Sequence, residues 1–366
     1  MFAKSTLASA VAAALGVSAV GIAHADSVFF PQVVLSDTVT TIVSVVNTSA
    51  DNWNQSGTAT GTNLHYRFYY KSGAAAGDQL ATCEEYDEYL PTSQNDVQTI
   101  DLSGHFGDDT AGVLFNDPSI NNKWKASGRD YALGRNVTPA RGYLYIDNQG
   151  SDAVESLTGE AFVFEFGSGA AWGYEAYNRD GLPHTGPNGG SDYSEFASQS
   201  PANVSIMPFD EITTAFFVTP VDFDQAPDFT NNYRARIELV TTQRGDLYDR
   251  DENLVSGTVV QDVVCVARIN AEDMLTDGTL ARLVDGGWGK LWNYRLVKPG
   301  SEWLPAVFDT TNSIGLSPAP SKFASDDGAV VIKLEYNLGG TFNGENVGGT
   351  YNNSLLISPD WQIPVR

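Results

Sequence analysis

The stretch Val39–Asn47, VTTIVSVVN, limits what this chain can fold into more than any other. Val39, Thr41, Val43 and Val45 stand on one parity, and Thr40, Ile42, Ser44 and Val46 on the other. A strand of that kind buries one face fully and the other in part. A weaker copy returns at residues 212–219, ITTAFFVT, again opening with a β-branched residue and two threonines before an apolar run. The segments that follow also correspond. An aromatic strand carrying Arg (63–68 against 232–237) is followed by an acidic turn ending in Leu (87–90 against 251–254), and then by another strand. The order predicts an all-β fold of two tandem β-sandwich modules, jelly-roll or Ig-like, related by weak internal duplication.

Composition agrees. The chain is rich in Gly, Thr, Val, Tyr, Phe, Asn and Asp, and short apolar runs are separated by Gly, Asn, Asp and Pro, the habit of a β-protein. The best helical pattern is the short stretch 270–276, where Asn270 is placed to cap a turn holding Glu272 and Asp273. Further strands are expected at 64–70, 97–102, 112–115, 142–147, 161–166, 233–241, 261–268 and Ala329–Tyr336, with 142–147 and 161–166 as sheet partners. A Pro-, Gly- and Ser-rich tract at 182–200 marks the boundary between a first module, 26–202, and a second, 203–366.

The first 25 residues read as a cleaved signal peptide. Lys4 supplies the positive start, 7–22 the apolar stretch, and Ala23-His24-Ala25 the small-residue cleavage signal before Asp26. Nothing downstream has the length of apolar chain that a spanning helix needs. The expectation is therefore an exported protein of the periplasm, cell surface or extracellular space, without a membrane span in its mature chain. The formal charge of −24 becomes −25 once Lys4 is removed. Such a surface repels phosphate backbones and anionic lipid, which argues against nucleic acid as a partner. With two cysteines in an exported chain, Cys83 and Cys265 are expected to form a disulfide joining the modules.

Two aromatic groups are candidate ligand-binding surfaces, since an aromatic face joined to a polar edge suits a sugar ring or a peptide. One is Trp172, Tyr174 and Tyr177, within and after the small-residue tract 167–174; the other is Trp288, Trp292 and Trp303, interleaved with glycines, Lys290 and Arg295. Core packing is the competing reading for both. Asp249, Asp251 and Asn253 form a D-x-D-x-N run, which begins as a calcium loop does; Leu254 and Val260 then stand where such a loop has Gly and Glu, so an acidic hairpin turn competes with a calcium site.

No catalytic constellation stands out. The Gly167-Ser168-Gly169 tract lacks the G-x-S-x-G spacing of a nucleophile elbow. His65, His105 and His184 sit in unrelated contexts, and His65 lies on the wetter face of its strand with no local carboxylate. The leading expectation is a non-catalytic cell-surface, extracellular-matrix or filament component, adhesin-like, assembling with other surface proteins or with itself through sheet edges. The segment 28–47 would then be a strand able to add to a neighbour's sheet. A carbohydrate- or peptide-binding module is the alternative, and a polymer-degrading hydrolase the third.

Overall fold

The computed structural model of the 366-residue chain describes residues 27–48, 63–92, 95–104, 113–115, 139–148, 157–166, 171–179, 198, 202–210, 212–221, 234–239, 247–295, 328–336, 341–342, 345–346 and 351–357. The leader 1–25, residues 167–170, Trp303, His105, His184 and all of the tract 182–200 except Ser198 lie outside them.

The chain is all-β. Its strands are β1 (Ser27–Leu35), β2 (Val39–Asn47), β3 (Asn63–Ser72), β4 (Glu84–Pro91), β5 (Asp96–Asp101), β6 (Val113–Phe115), β7 (Ala140–Asn148), β8 (Leu157–Glu165), β9 (Ala171–Glu175), β10 (Tyr177–Arg179), β11 (Ala202–Ile206), β12 (Thr213–Pro220), β13 (Arg234–Leu239), β14 (Tyr248–Asp249), β15 (Gln261–Val264), β16 (Ala267–Asn270), β17 (Gly287–Arg295), β18 (Ala329–Tyr336), β19 (Thr341–Phe342), β20 (Glu345–Asn346) and β21 (Tyr351–Ile357). A short helix, α1, spans Asp277–Arg282. No helix among the described residues is long and apolar enough to cross a membrane.

Among the described residues every strand pairing is antiparallel and stays within its own half of the chain. Sheet I runs β10-β1-β7-β3-β4 and sheet II β6-β5-β2-β8-β9; sheet III runs β11-β17-β13-β15 and sheet IV β16-β12-β18-β21, while β19 and β20 form a separate hairpin. Among the described strands, the order in sheets III and IV follows that in sheets I and II. Matching β1, β7, β3 and β4 to β11, β17, β13 and β15 aligns sheets I and III, and matching β5, β2, β8 and β9 to β16, β12, β18 and β21 aligns sheets II and IV. The two sequence copies, β2 and β12, occupy equivalent places. The acidic segments do not: 87–90 lies inside β4, whereas 251–254 forms a turn after β14.

Sheet IV has both faces buried. Ala215, Phe217, Val330, Ile332 and Leu334 join the core shared with sheets I and II, while Phe216, Val218, Ala329 and Val331 face sheet III. That double burial is why AFFV and AVVI are unbroken apolar runs, while β2, with one face only partly covered, alternates over Ile42–Asn47. β1 is treated in the same way: Phe29 and Phe30, on opposite faces, are both fully buried, each contributing roughly 1.5–3 kcal/mol. Phe30 points at sheet II, where its ring would lie 2.7 Å from a Cβ at Gly159, so only glycine fits there.

A bulge between Phe30 and Val33 frees the backbone of Pro31 and Gln32. Three hydrogen bonds recover it. The Gln32 N–H donates to the Tyr174 hydroxyl at 3.2 Å, and that hydroxyl donates to the Gln32 carbonyl at 2.5 Å. From sheet IV, the Thr219 hydroxyl donates to the Pro31 carbonyl at 2.7 Å.

The two halves also meet at a second seam. Cys83 and Cys265 form a disulfide across a sequence separation of 182 residues. Beside it the Val264 N–H donates to the Gln79 carbonyl at 2.9 Å, and the buried Lys71 ammonium donates to the Val266 carbonyl at 2.7 Å. Cys265 does not lie within a continuous 261–268 strand. It sits between β15 and β16 at φ 61, where the Val266 N–H closes back on the Val264 carbonyl at 2.7 Å, a tight γ-type turn.

Other expectations change too. The segments 142–147 and 161–166 belong to different sheets, β7 pairing with β1 and β3, and β8 with β2 and β9. His65 is buried rather than wet, because both parities of β3 are covered. Asn270 precedes a 3-10 turn, Ala271–Met274, without a side-chain cap.

Candidate functional site

The outer face of sheet III is built from the alternation of β17, GWGKLWNYR. Gly289, Leu291 and Asn293 are buried, and Leu291 belongs to the second core; Trp288, Lys290 and Trp292 lie on the opposite parity. Trp288 is 38% exposed. Across one side of it β14 places Tyr248, and the two rings stack with centroids 4.9 Å apart and planes 16° apart. Across the other side β11 places Ser205, and one step along it places Asn203 beside Lys290. Both of these short polar residues are exposed, so the ring of Trp288 is backed by an aromatic on one flank and bordered by small polar groups on the other.

The glycine pair before Trp288 makes this possible. Gly286 has φ +87, a conformation that side chains disfavour. A Cβ on Gly287 would lie 2.2 Å from the Tyr248 carbonyl oxygen, so only glycine lets β14 come close enough for the rings to meet.

The turn after Tyr248 fixes its position. One Asp249 carboxylate oxygen accepts from the N–H groups of Asp251 and Asn253 at 3.0 and 2.9 Å. The Asn253 amide reaches both oxygens at 3.1 Å, and the Arg282 guanidinium of α1 reaches the second at 3.3 Å. These contacts, the Asn253 N–H first among them, hold the Asp249 carboxyl below its usual range. Of the calcium-loop residues, Asp249 therefore already has donors on both oxygens, and Asp251 and Asn253 serve the turn through their N–H groups. No cluster of three or more metal-ligating side chains occurs among the described residues.

Under the sheet edge, the buried Lys333 ammonium donates to Ser205 Oγ at 2.7 Å and pairs with Glu335 at 2.5 Å. A serine beside a lysine invites comparison with a nucleophile and its base. Here the direction is reversed, because an ammonium paired to a carboxylate has no lone pair to take the serine proton. What the contact does is position the hydroxyl oxygen as an acceptor, which leaves its own hydrogen available to donate.

The first aromatic group behaves differently. Tyr174 and Tyr177 are buried, Tyr174 bonded through its hydroxyl to the bulge at Gln32 and Tyr177 packed 6.2 Å from Phe29. Trp172 is half-buried against the first core. Burial pushes the Tyr174 hydroxyl well above its ordinary pKa.

The register of sheet I also assembles a charged row that no local spacing announces. Ser27, Asp147, His65 and Tyr89 stand side by side on β1, β7, β3 and β4. His65 Nδ1 lies 3.6 Å from Asp147, Arg67 pairs with the same carboxylate at 2.6 Å, and His65 stacks on Tyr89 at 4.2 Å. A hydrolytic triad needs His between the acid and the hydroxyl. In this row Asp147 is in the middle, and Ser27 and His65 are two strand spacings apart, about 9.5 Å. The row reads as a buried ion-pair network.

Neither protein-family models, nor curated proteins, nor solved structures give a match to this chain.

Proposed function

We propose that this chain is an exported, non-catalytic β-protein serving as a cell-surface, matrix or filament interaction component. It would be built as two duplicated β-sandwich modules, 26–202 and 203–366, and would meet its partner through the outer face of sheet III. The observation that carries the reading is Trp288, a large aromatic left 38% exposed on a sheet face while Tyr248 braces it. Exposed aromatics fixed by neighbours are what an interaction surface spends its contact area on. Support for the modules comes from strand pairing that closes within each half and from the repeated strand order.

Strand donation by residues 28–47 is disfavoured, since β1 and β2 are each paired on both sides. Strand β4, at the end of sheet I among the described residues, carries the exposed carboxylates Glu84 and Glu85, like charges that resist edge-to-edge pairing. Contact through a face therefore fits this chain better than contact through an edge.

The test is retention of the purified mature protein on washed cells of the organism that exports it, comparing wild type with Trp288→Ala. The expected result is binding by wild type and loss by the variant. Equal behaviour of the two proteins removes the reading.

A further inference from the structure

Resting on that reading, we infer that the occupant of the sheet III face is a neutral hexose polymer, whose sugar ring lies on the face of Trp288 turned away from Tyr248.

Three features of the place select that chemistry. The first is the wall. The Tyr248 ring at 4.9 Å occupies one side of Trp288, and the residue across the other flank is Ser205, too short to cover an indole. The indole is thus 38% exposed and held in orientation by Tyr248, the arrangement that accepts the C–H face of a pyranose. The second is the border. Ser205 and Asn203 are exposed beside Trp288 and Lys290, a hydroxyl and an amide able to donate to and accept from sugar hydroxyls. Ser205 Oγ is already held by the Lys333 ammonium at 2.7 Å, so the oxygen is positioned before any ligand arrives while its own hydrogen remains available to donate.

The third is charge. Three guanidinium groups near this face are already matched: Arg236 is paired with Asp262 and Arg282 with Asp249, while Arg250 lies between Asp251 and Asp285. On a chain of net charge −24, a polyanion would meet repulsion, and those three guanidinium groups are already engaged by carboxylates. A neutral polymer meets no such repulsion. Trp292 stands four residues further along the same parity, roughly 13 Å away along the strand, half-buried with its indole nitrogen covered, so an extended chain would meet only part of a second ring. A single monosaccharide would use only the first.

The experiment titrates purified mature protein with cellohexaose, laminarihexaose and maltohexaose, read by tryptophan fluorescence and calorimetry. Alginate is the anionic comparison. At least one neutral hexaose should bind with little salt dependence, Trp288→Ala should weaken it by about tenfold or more, and Ser205→Ala should weaken it by several-fold. Lack of binding by all three hexaoses at millimolar concentration overturns the inference, as does equal binding by Trp288→Ala or preference for alginate. If the hexaoses fail while Trp288→Ala still abolishes retention on cells, the glycan is wrong and the contact face stands. If retention is also unchanged, both fall.

Discussion

Removing the Cys83–Cys265 link should cost this protein a large share of its stability without changing its fold. The link closes a loop of 182 residues. In the chain-entropy model that closure takes about 18 cal/mol/K from the unfolded ensemble, about 5 kcal/mol at room temperature. The native side of the balance should move little. Val264 still donates to Gln79 and Lys71 to Val266, so the seam keeps its hydrogen bonds when the sulfurs go. Cys265 would retain its turn, because the Val266 to Val264 bond that closes it is backbone only.

The variant is Cys83→Ala/Cys265→Ala, and the assay is urea unfolding beside an oxidised wild type whose thiols have been counted. The expected loss is about 3–5 kcal/mol, the upper end being the entropic limit. The amide of Val264 should stay protected from hydrogen exchange under native conditions. A loss below about 1 kcal/mol would refute the loop-entropy argument; early exchange at Val264 would show instead that the disulfide, and not the hydrogen bonds, holds the seam.

Four further outcomes can be checked. Tyr174→Phe orphans the buried N–H and carbonyl of Gln32, and should lower stability by about 2–4 kcal/mol in chemical denaturation; a neutral result means the bulge finds other partners. Burial pushes the Lys71 ammonium down to about 8 from its ordinary 10.5. The folded protein therefore gives up a proton that the unfolded chain keeps, and stability should rise with pH between those values. Lys71→Met should remove that rise, and above about pH 10 ionisation of unfolded tyrosines should reverse it, since burial keeps Tyr66 and Tyr174 neutral in the fold. Gly287→Ala forces its Cβ onto the Tyr248 carbonyl, and should expose Trp288 to acrylamide quenching while leaving far-UV circular dichroism unchanged. Chelation by EDTA should leave the melting temperature unchanged if Asp249 keeps its protein donors, whereas a fall of several degrees would place a cation at that turn.

Much of the fold can be read in the sequence. Strand β2 has the predicted bounds and the predicted burial, its odd positions from Thr41 to Asn47 buried and most of its even ones partly so. The match of 39–47 with 212–219 points to strands that do fill equivalent places in two equally ordered pairs of sheets. The cysteines were few enough for composition alone to suggest their pairing. By contrast, the two aromatic clusters look alike as text, each mixing Trp and Tyr with glycine. Only packing separates them: Tyr174 turns inward to a bulge 142 residues away, and Trp288 is left outside because β14 pairs with its strand on one flank and the small Ser205 borders the other.

What the sequence determined by itself was the local alternation, because strand periodicity follows from backbone geometry. Tertiary structure decided which face of each strand meets water. His65 sits in an alternating segment and is nonetheless buried, paired with an Asp147 more than eighty positions away, since burial is set by which sheet lies on top and a residue's neighbours in sequence carry no record of that.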